Sequence, residues 1–237
     1  MARTRPKHLA AALAVLATIA LGAAQPAAAA APVHVKVRVE GPTSTITQSD
    51  PAALTGTFAG HQLSTPTVLG ALLKARRVQH FKVGLQWFDC CGLFVNSIAG
   101  IPGDSTHFWA LKVAQKLASV GAGAIPATPG LSVLFYYTTF DPNTGATEPT
   151  LGLNGRTTAT VDTPQTFTVR SFDDAGKATP ASGAWLHVGA IAVHADATGH
   201  VTVEFGHAGV FAVRATRSGA IRSRTIWVHV SSSASAS

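Results

Sequence analysis

The chain has 237 residues, 46% of them hydrophobic and 12% charged, with a formal net charge of +7 at pH 7. That apolar fraction excludes a largely disordered polymer, and the length suits one or two domains with cores of their own. The positive charge does not by itself imply nucleic acid, because charge acts through its placement.

Residues 1–31 carry Arg3, Arg5 and Lys7, then an apolar run over residues 9–21, then Gln25-Pro26 and a row of alanines to Ala31. This is the layout of a secretory signal peptide, with A-x-A cleavage sites between Ala28 and Ala31. Its strongly apolar part is about 13 residues, short of the roughly 20 that span a bilayer, so no stable transmembrane anchor is expected after cleavage. No consecutive arginines precede the run, which favours the general export route. Without the leader, 15 Lys and Arg face 11 Asp and Glu. The basic residues are scattered, and the net of +4 is ordinary, so nucleic acid is not expected as a partner.

Residues 33–40 alternate Val33, Val35, Val37 and Val39 with polar neighbours, the period-two pattern of a half-buried strand, and Gly41-Pro42 closes it. Thr65-Pro66-Thr67 then leads into Val68, Leu69, Leu72, Leu73 and Ala75, ending at Arg76-Arg77. Those spacings, with a Thr cap and terminal cations, predict a short amphipathic helix. Short aromatic-rich runs follow at residues 81–83, 87–88, 93–95, 108–113 and 133–137, separated by Gly, Pro and Asp. They predict strands of a mixed sheet packed on one helix, an α+β domain over residues 32–142.

Residues 143–156 hold Asn143, Gly145, Pro149, Gly152 and Gly155, and read as a linker. Beyond them, alternating runs at residues 159–161, 166–169, 201–205, 211–215 and 226–230 are joined by turns such as Asp173-Asp174-Ala175-Gly176 and Asp196-Ala197-Thr198-Gly199. With no helical period, residues 157–230 read as an all-β antiparallel sandwich, and residues 231–237 as a disordered polar tail.

Particular strings carry resemblances. VKVRVEGPTSTI (35–46), TVLGALLKARR (67–77), FVNSIAGI (94–101), FWALKV (108–113) and PGLSVLFYY (129–137) resemble, in order, the domain of unknown function related to the C-terminal domain of transcobalamin and intrinsic factor. That resemblance implies a soluble-ligand-binding β-grasp fold. In the cobalamin carriers the domain forms one side of a ligand cleft opposite a helical barrel. This sequence has no stretch left for such a barrel, and Ala114 stands where the family's asparagine follows the tryptophan strand. Cobalamin is therefore implied only by the distant resemblance, and no cofactor is expected. The strings at residues 173–184, 194–205 and 208–223 look like a bacterial immunoglobulin-like domain, often a spacer or a carbohydrate-contacting module of exported proteins.

Cys90-Cys91 is the most unusual feature, because the only two cysteines of an exported chain are adjacent. Free or capped thiols, a vicinal disulfide and an intermolecular bridge all remain open, whereas a conventional staple between distant residues is excluded. Asp89 beside them adds no diagnostic metal spacing. Histidines are scattered, and although His194, Asp196 and His200 can meet around a hairpin, turn roles explain them better than a metal centre. Asp173-Asp174 reads as a capped, solvated turn. No G-x-S-x-G elbow or phosphate loop is present, so no enzymatic activity is expected.

The aromatic pairs Trp87-Phe88, Phe108-Trp109 and Tyr136-Tyr137 are the ligand-binding candidates. Neighbours on a strand point to opposite faces, so one member of each pair can enter the core while the other stays available. Cys90 and Cys91 are the redox or disulfide candidates. The sequence thus predicts a secreted, extracellular or cell-surface bacterial binding protein that takes a small molecule or an extracellular protein or glycan through its first domain. The alternative is a structural or adhesive envelope protein with no small-molecule ligand.

Overall fold

The structure is a computed structural model that describes residues 31–232. Apart from Ala31, the expected signal peptide lies outside the described residues, as do residues 233–237 of the expected tail.

The first half runs β1 (Lys36–Glu40), β2 (Thr45–Ser49), β3 (Gly56–Phe58), β4 (His61–Leu63), α1 (Val68–Gln79), β5 (Val83–Phe88), β6 (Gly92–Ile98), β7 (Ile101–Pro102), β8 (His107–Val113), β9 (Lys116–Leu117) and β10 (Ser132–Thr139). Its main sheet has the order β2-β1-β10-β8-β9. The central pair is parallel, with Val37 opposite Val133, and β8 runs antiparallel to β10. Helix α1 starts where the Thr67 hydroxyl accepts the Gly70 amide at 3.2 Å, and ends at His80, whose φ is 57°. Arg76 and Arg77 occupy its last turn, where cations suit the carbonyl end of the helix dipole.

Strand alternation decides what the helix covers. Val35, Val37 and Val39, with Trp109, Val133 and Phe135, pack against Leu69, Leu72 and Leu73 in one core. Gly70 lets the helix meet the preceding loop, since a Cβ there would lie 2.1 Å from the Leu54 carbonyl oxygen. The intervening residues of the same strands face the other way: Arg38 and Glu40 from β1, Phe108, Ala110 and Lys112 from β8, Leu134, Tyr136 and Thr138 from β10.

The second half holds β11 (Thr150–Asn154), β12 (Thr158–Thr160), β13 (Gln165–Phe172), β14 (Ala178–Pro180), β15 (Trp185–Val188), β16 (Ile191–His194), β17 (His200–Val203), β18 (Gly209–Thr216) and β19 (Ile226–Ser231). One sheet is built on β13, which pairs β11, β14 and β17, and the other has the order β12-β19-β18-β15-β16. Leu151, Phe167, Leu186, Val213 and Val228 fill one core shared by both sheets. The described residues are thus mostly β with one α-helix, in several sheets. Three details differ from the sequence reading. β12 runs parallel to β19, so the sandwich is not wholly antiparallel. Residues 150–154 of the expected linker form β11, because Leu151 and Leu153 alternate inward while Gly152 makes room for the Phe172 ring, 2.6 Å from where its Cβ would be. Ser231, expected in the tail, ends β19 and donates to the Ala159 carbonyl at 3.3 Å.

The two halves belong to one compact unit from Pro32 onward. The polar groups between them are tied in pairs. Lys112, 1% exposed, donates to the Asp173 carbonyl at 2.9 Å and the Phe172 carbonyl at 3.2 Å, and lies 3.4 Å from Asp174. Asp174 also accepts from the Thr147 amide and hydroxyl, and Thr147 lies 2.8 Å from the Tyr136 hydroxyl. Since Thr147 gives its proton to the carboxylate, Tyr136 donates to Thr147. Asp174, expected in a solvated turn, is therefore a half-buried junction, because its turn folds onto the first half.

A second tie joins Glu40 to Arg222, 2.9 Å apart, and Arg222 donates to the Gly41 and Thr43 carbonyls. Gln48 and Thr225 exchange two hydrogen bonds, at 2.7 and 2.9 Å. Burial pushes the Glu40 carboxyl above its ordinary range, against the pull of Arg38, Thr45 and Arg222. Burial likewise lowers Lys112, against the pull of Asp174.

Candidate functional site

The six aromatic candidates divide into three environments. Trp109 and Tyr136 are buried, at 9% and 0% exposure. The Trp109 indole donates to the Ile101 carbonyl at 2.8 Å. Phe108 and Tyr137 are half-buried: Phe108 stacks on Phe140 at 4.2 Å, and Tyr137 lies parallel to His107 at 5.4 Å. Trp87 and Phe88 are exposed, at 44% and 42%.

Pairing by strand face therefore works for two pairs and fails for the third. Trp109 and Tyr137 lie on the helix side, while Phe108 and Tyr136 lie on the opposite side. Around Tyr136 that opposite side is covered: Tyr136, Ala110 and Leu134 pack with Ile221 of the second half. Trp87 and Phe88 are both outside because they end β5, where the hairpin leaves the sheet core.

This hairpin tip gathers the remaining candidates. β5 pairs β6 with Phe88 opposite Gly92, leaving Asp89, Cys90 and Cys91 as the connection. Cys90 and Cys91 are joined as a vicinal disulfide, one of the states left open by the sequence. The Cys91 amide donates to the Phe88 carbonyl at 3.0 Å, and Gly92 completes the turn at φ 84°. The Cys91 carbonyl accepts the Gly121 amide at 3.1 Å, tying the tip to the body. Gly121 permits this approach, since a Cβ there would come within 2.9 Å of that carbonyl oxygen.

The two exposed rings are held by neighbours. The Trp87 indole lies flat on the His61 ring, centroids 3.8 Å apart and planes 7° apart, and its Nε1 donates to Asp89 Oδ1 at 2.8 Å. Phe88 meets Phe94 edge-on at 5.3 Å. His61 and Gly121 were missed by sequence reasoning. Nothing local marks them, because each meets the tip only through the fold.

Among the described residues, no three His, Cys, Asp or Glu are grouped to hold a metal ion. His194 lies against the Trp185 ring, while Asp196 and His200 share the Thr198 hydroxyl in a closed turn. Backbone and hydroxyl donors hold Asp196, Asp104 and Asp141 below the ordinary carboxylate range. Among the described residues no helix is long and apolar enough to cross a membrane.

A family model described as a domain of unknown function, DUF4430, matches residues 66–139, from the start of α1 through β10. No curated protein matches the chain. Among solved structures it is similar to the D00-D0 domain of intimin, with 13% identity over 65% of this chain and 80% of that one, at a TM-score of 0.25. A superposition that poor carries no functional argument. The matched family segment contains the hairpin tip and all six aromatic candidates.

Proposed function

We propose that the chain is an exported, non-catalytic recognition protein whose first half binds a small molecule or the glycan of an extracellular partner through the β5–β6 tip. The observation that carries this reading is the pair Trp87 and Phe88, each more than two-fifths exposed beside a disulfide-closed turn. Large rings kept in water forgo the gain of burial, and a ring braced in one orientation loses little entropy when a flat ligand covers it. A braced indole offers an apolar face to a sugar ring or planar molecule, while Asp89 at its edge accepts hydrogen bonds. The leader-like residues 1–31 support export. The mixed sheet with its parallel central pair and one packed helix supports a β-grasp reading of the first half, and the shared-core sandwich supports an immunoglobulin-like second half acting as a spacer.

The test is retention of the protein on a panel of immobilised polysaccharides and small aromatic or heterocyclic compounds. The wild type should be retained on at least one member, and Trp87→Ala/Phe88→Ala should lose that retention at an unchanged melting temperature. Retention that survives the double substitution would remove the tip from the account.

A second reading has its own observation. Trp185 and Trp227, 41% and 57% exposed, lie on one face of the β12-β19-β18-β15-β16 sheet, opposite Thr216 and Ala212 of β18. An envelope protein adhering through its second half would use that face. Trp185→Ala/Trp227→Ala would then abolish retention, with the tip variant unaffected.

A further inference from the structure

A solvent-open cleft of about 640 Å³ lies between β1 and β10 on one side and β11 and β13 on the other. That volume lies within the range of small-molecule sites. Five cations, Lys36, Arg38, Lys112, Arg170 and Arg224, line it against one carboxylate, Asp50. After residue 31 the chain has 15 Lys and Arg and 11 Asp and Glu, so ten of each remain elsewhere. Before its ion pairs are counted, the lining thus carries four more cations than carboxylates.

Two of the five cations are occupied. Lys112 is held by the Phe172 and Asp173 carbonyls and by Asp174, and Arg38 donates to the Arg222 carbonyl and lies 3.8 Å from Glu40. Among the described residues, the side chains of Lys36, Arg170 and Arg224 make no hydrogen bond or ion pair within the chain. With Asp50 set against them, they leave two uncompensated positive charges. Like charges crowded in a cleft repel one another, and burial together with Arg224 and Arg222 already holds Arg38 down to about 10 despite Glu40. An anion would relieve that repulsion, and a concavity lined by one sign of charge draws it in.

The free cations come from three elements: Lys36 from β1, Arg170 from β13, and Arg224 from the segment before β19. The backbone beside Arg224 is fixed in advance, because Gln48 clamps Thr225 and the Ser223 hydroxyl donates to the Arg224 carbonyl at 2.8 Å. Arg170 stands opposite Gly152, over which the Phe172 ring lies. Leu134, Leu151 and Phe172 supply apolar wall for the body of a ligand.

We propose that this cleft binds a small organic dianion, an apolar body bearing either a phosphate monoester or two carboxylates, through Lys36, Arg170 and Arg224. Arginine forks suit both kinds of oxyanion, so the shared chemistry is two negative charges on an apolar frame. The site is separate from the hairpin tip.

The experiment titrates the full chain with phenyl phosphate, phthalate and neutral benzyl alcohol, read by calorimetry and by melting temperature. At least one dianion should bind saturably and raise the melting temperature, weakening as salt is added, while benzyl alcohol should do neither. Stronger phenyl phosphate assigns a phosphorylated ligand, and stronger phthalate a dicarboxylate. Arg170→Gln and Arg224→Gln should each weaken binding about tenfold, as the loss of one charged hydrogen bond does. Lys36→Gln supplies an independent loss should either arginine variant fold poorly. Trp87→Ala/Phe88→Ala should leave the dianion affinity unchanged, which separates this site from the tip. Absence of saturable binding by both dianions, or binding that survives the three charge removals, would overturn the proposal.

Discussion

Replacing Lys112 with methionine tests whether the two halves stand or fall together. Methionine keeps most of the stem's volume but removes the ammonium that donates to the Phe172 and Asp173 carbonyls at 3.2 and 2.9 Å and lies 3.4 Å from Asp174. Each carbonyl deprived of a charged donor costs about 1–3 kcal/mol, and the orphaned carboxylate adds to that. Relief from burying an ammonium offsets part of the loss, while Asp174 keeps its Thr147 donors. The net expectation is a loss of about 3 kcal/mol, or about 6–12 °C in melting temperature for a unit of this size. Calorimetry should show one transition for the wild type and one, displaced downward, for Lys112→Met. Adding Asp174→Asn should cost less than the sum of the two single changes, since the groups share one network. A Lys112→Met protein within about 1 kcal/mol of wild type would refute this accounting, as would a loss confined to one of two separate transitions.

Three further outcomes follow from the packing and the charges. Gly70→Ala should destabilise by about 1–3 kcal/mol in spite of alanine's better helix propensity, because the new methyl meets the Leu54 backbone; urea unfolding measures it. Denatured but unreduced protein should take up no thiol alkylating agent, and reduced protein should take up two equivalents by intact mass, because Cys90 and Cys91 are bonded to each other. The pH profile has two opposing parts. Glu40's raised folded pKa means the folded state takes up its proton first, so its contribution improves as pH falls from neutral towards the carboxylate range. Asp104, Asp141 and Asp196 have depressed values, so what they contribute is present above the ordinary aspartate range and is lost as pH falls through it. Thermal scans should therefore show stability held or rising under mild acid and falling below about pH 4. Glu40→Gln should remove the rise.

Much of the fold was legible because it rests on local chemistry. Valines at every second position from Val33 to Val39 mark a strand with one covered face, and Thr67 with Arg76 and Arg77 brackets the helix. The covering of the other sheet face is encoded too. Residues 133–137 are apolar or aromatic without alternation, the pattern of a strand buried on both sides. β11 escaped detection because Gly152 and its proline- and glycine-rich surroundings carry turn composition, although Gly152 is there for the Phe172 ring. Lys112, Asp174 and Arg222 could not be singled out by sequence. Each is an ordinary charged residue until the fold places it between the halves, far along the chain from its partner.

The candidate site was legible in the same uneven way. The adjacency of Trp87, Phe88, Cys90 and Cys91 directed attention to the hairpin tip, whereas the brace from His61 depends on a contact 26 positions away. The other two aromatic pairs looked equivalent in sequence. Their difference arises from the second half, which covers the face bearing Phe108 and Tyr136. The basic cleft is also a property of assembly, since its free cations come from strands on both sides of the junction.

The chain contains four tryptophans, and each indole N–H gives its own signal in a nitrogen-correlated proton spectrum. Trp87 and the exposed pair Trp185 and Trp227 face water, whereas Trp109 is buried with its N–H on the Ile101 carbonyl. Titrating the labelled protein with the compound that retains it, after assigning the signals by single substitution, is the most direct test of recognition at the hairpin tip. The Trp87 signal should move and saturate with the ligand while the Trp109, Trp185 and Trp227 signals stay in place. A titration that shifts Trp185 or Trp227 and leaves Trp87 unmoved would contradict it.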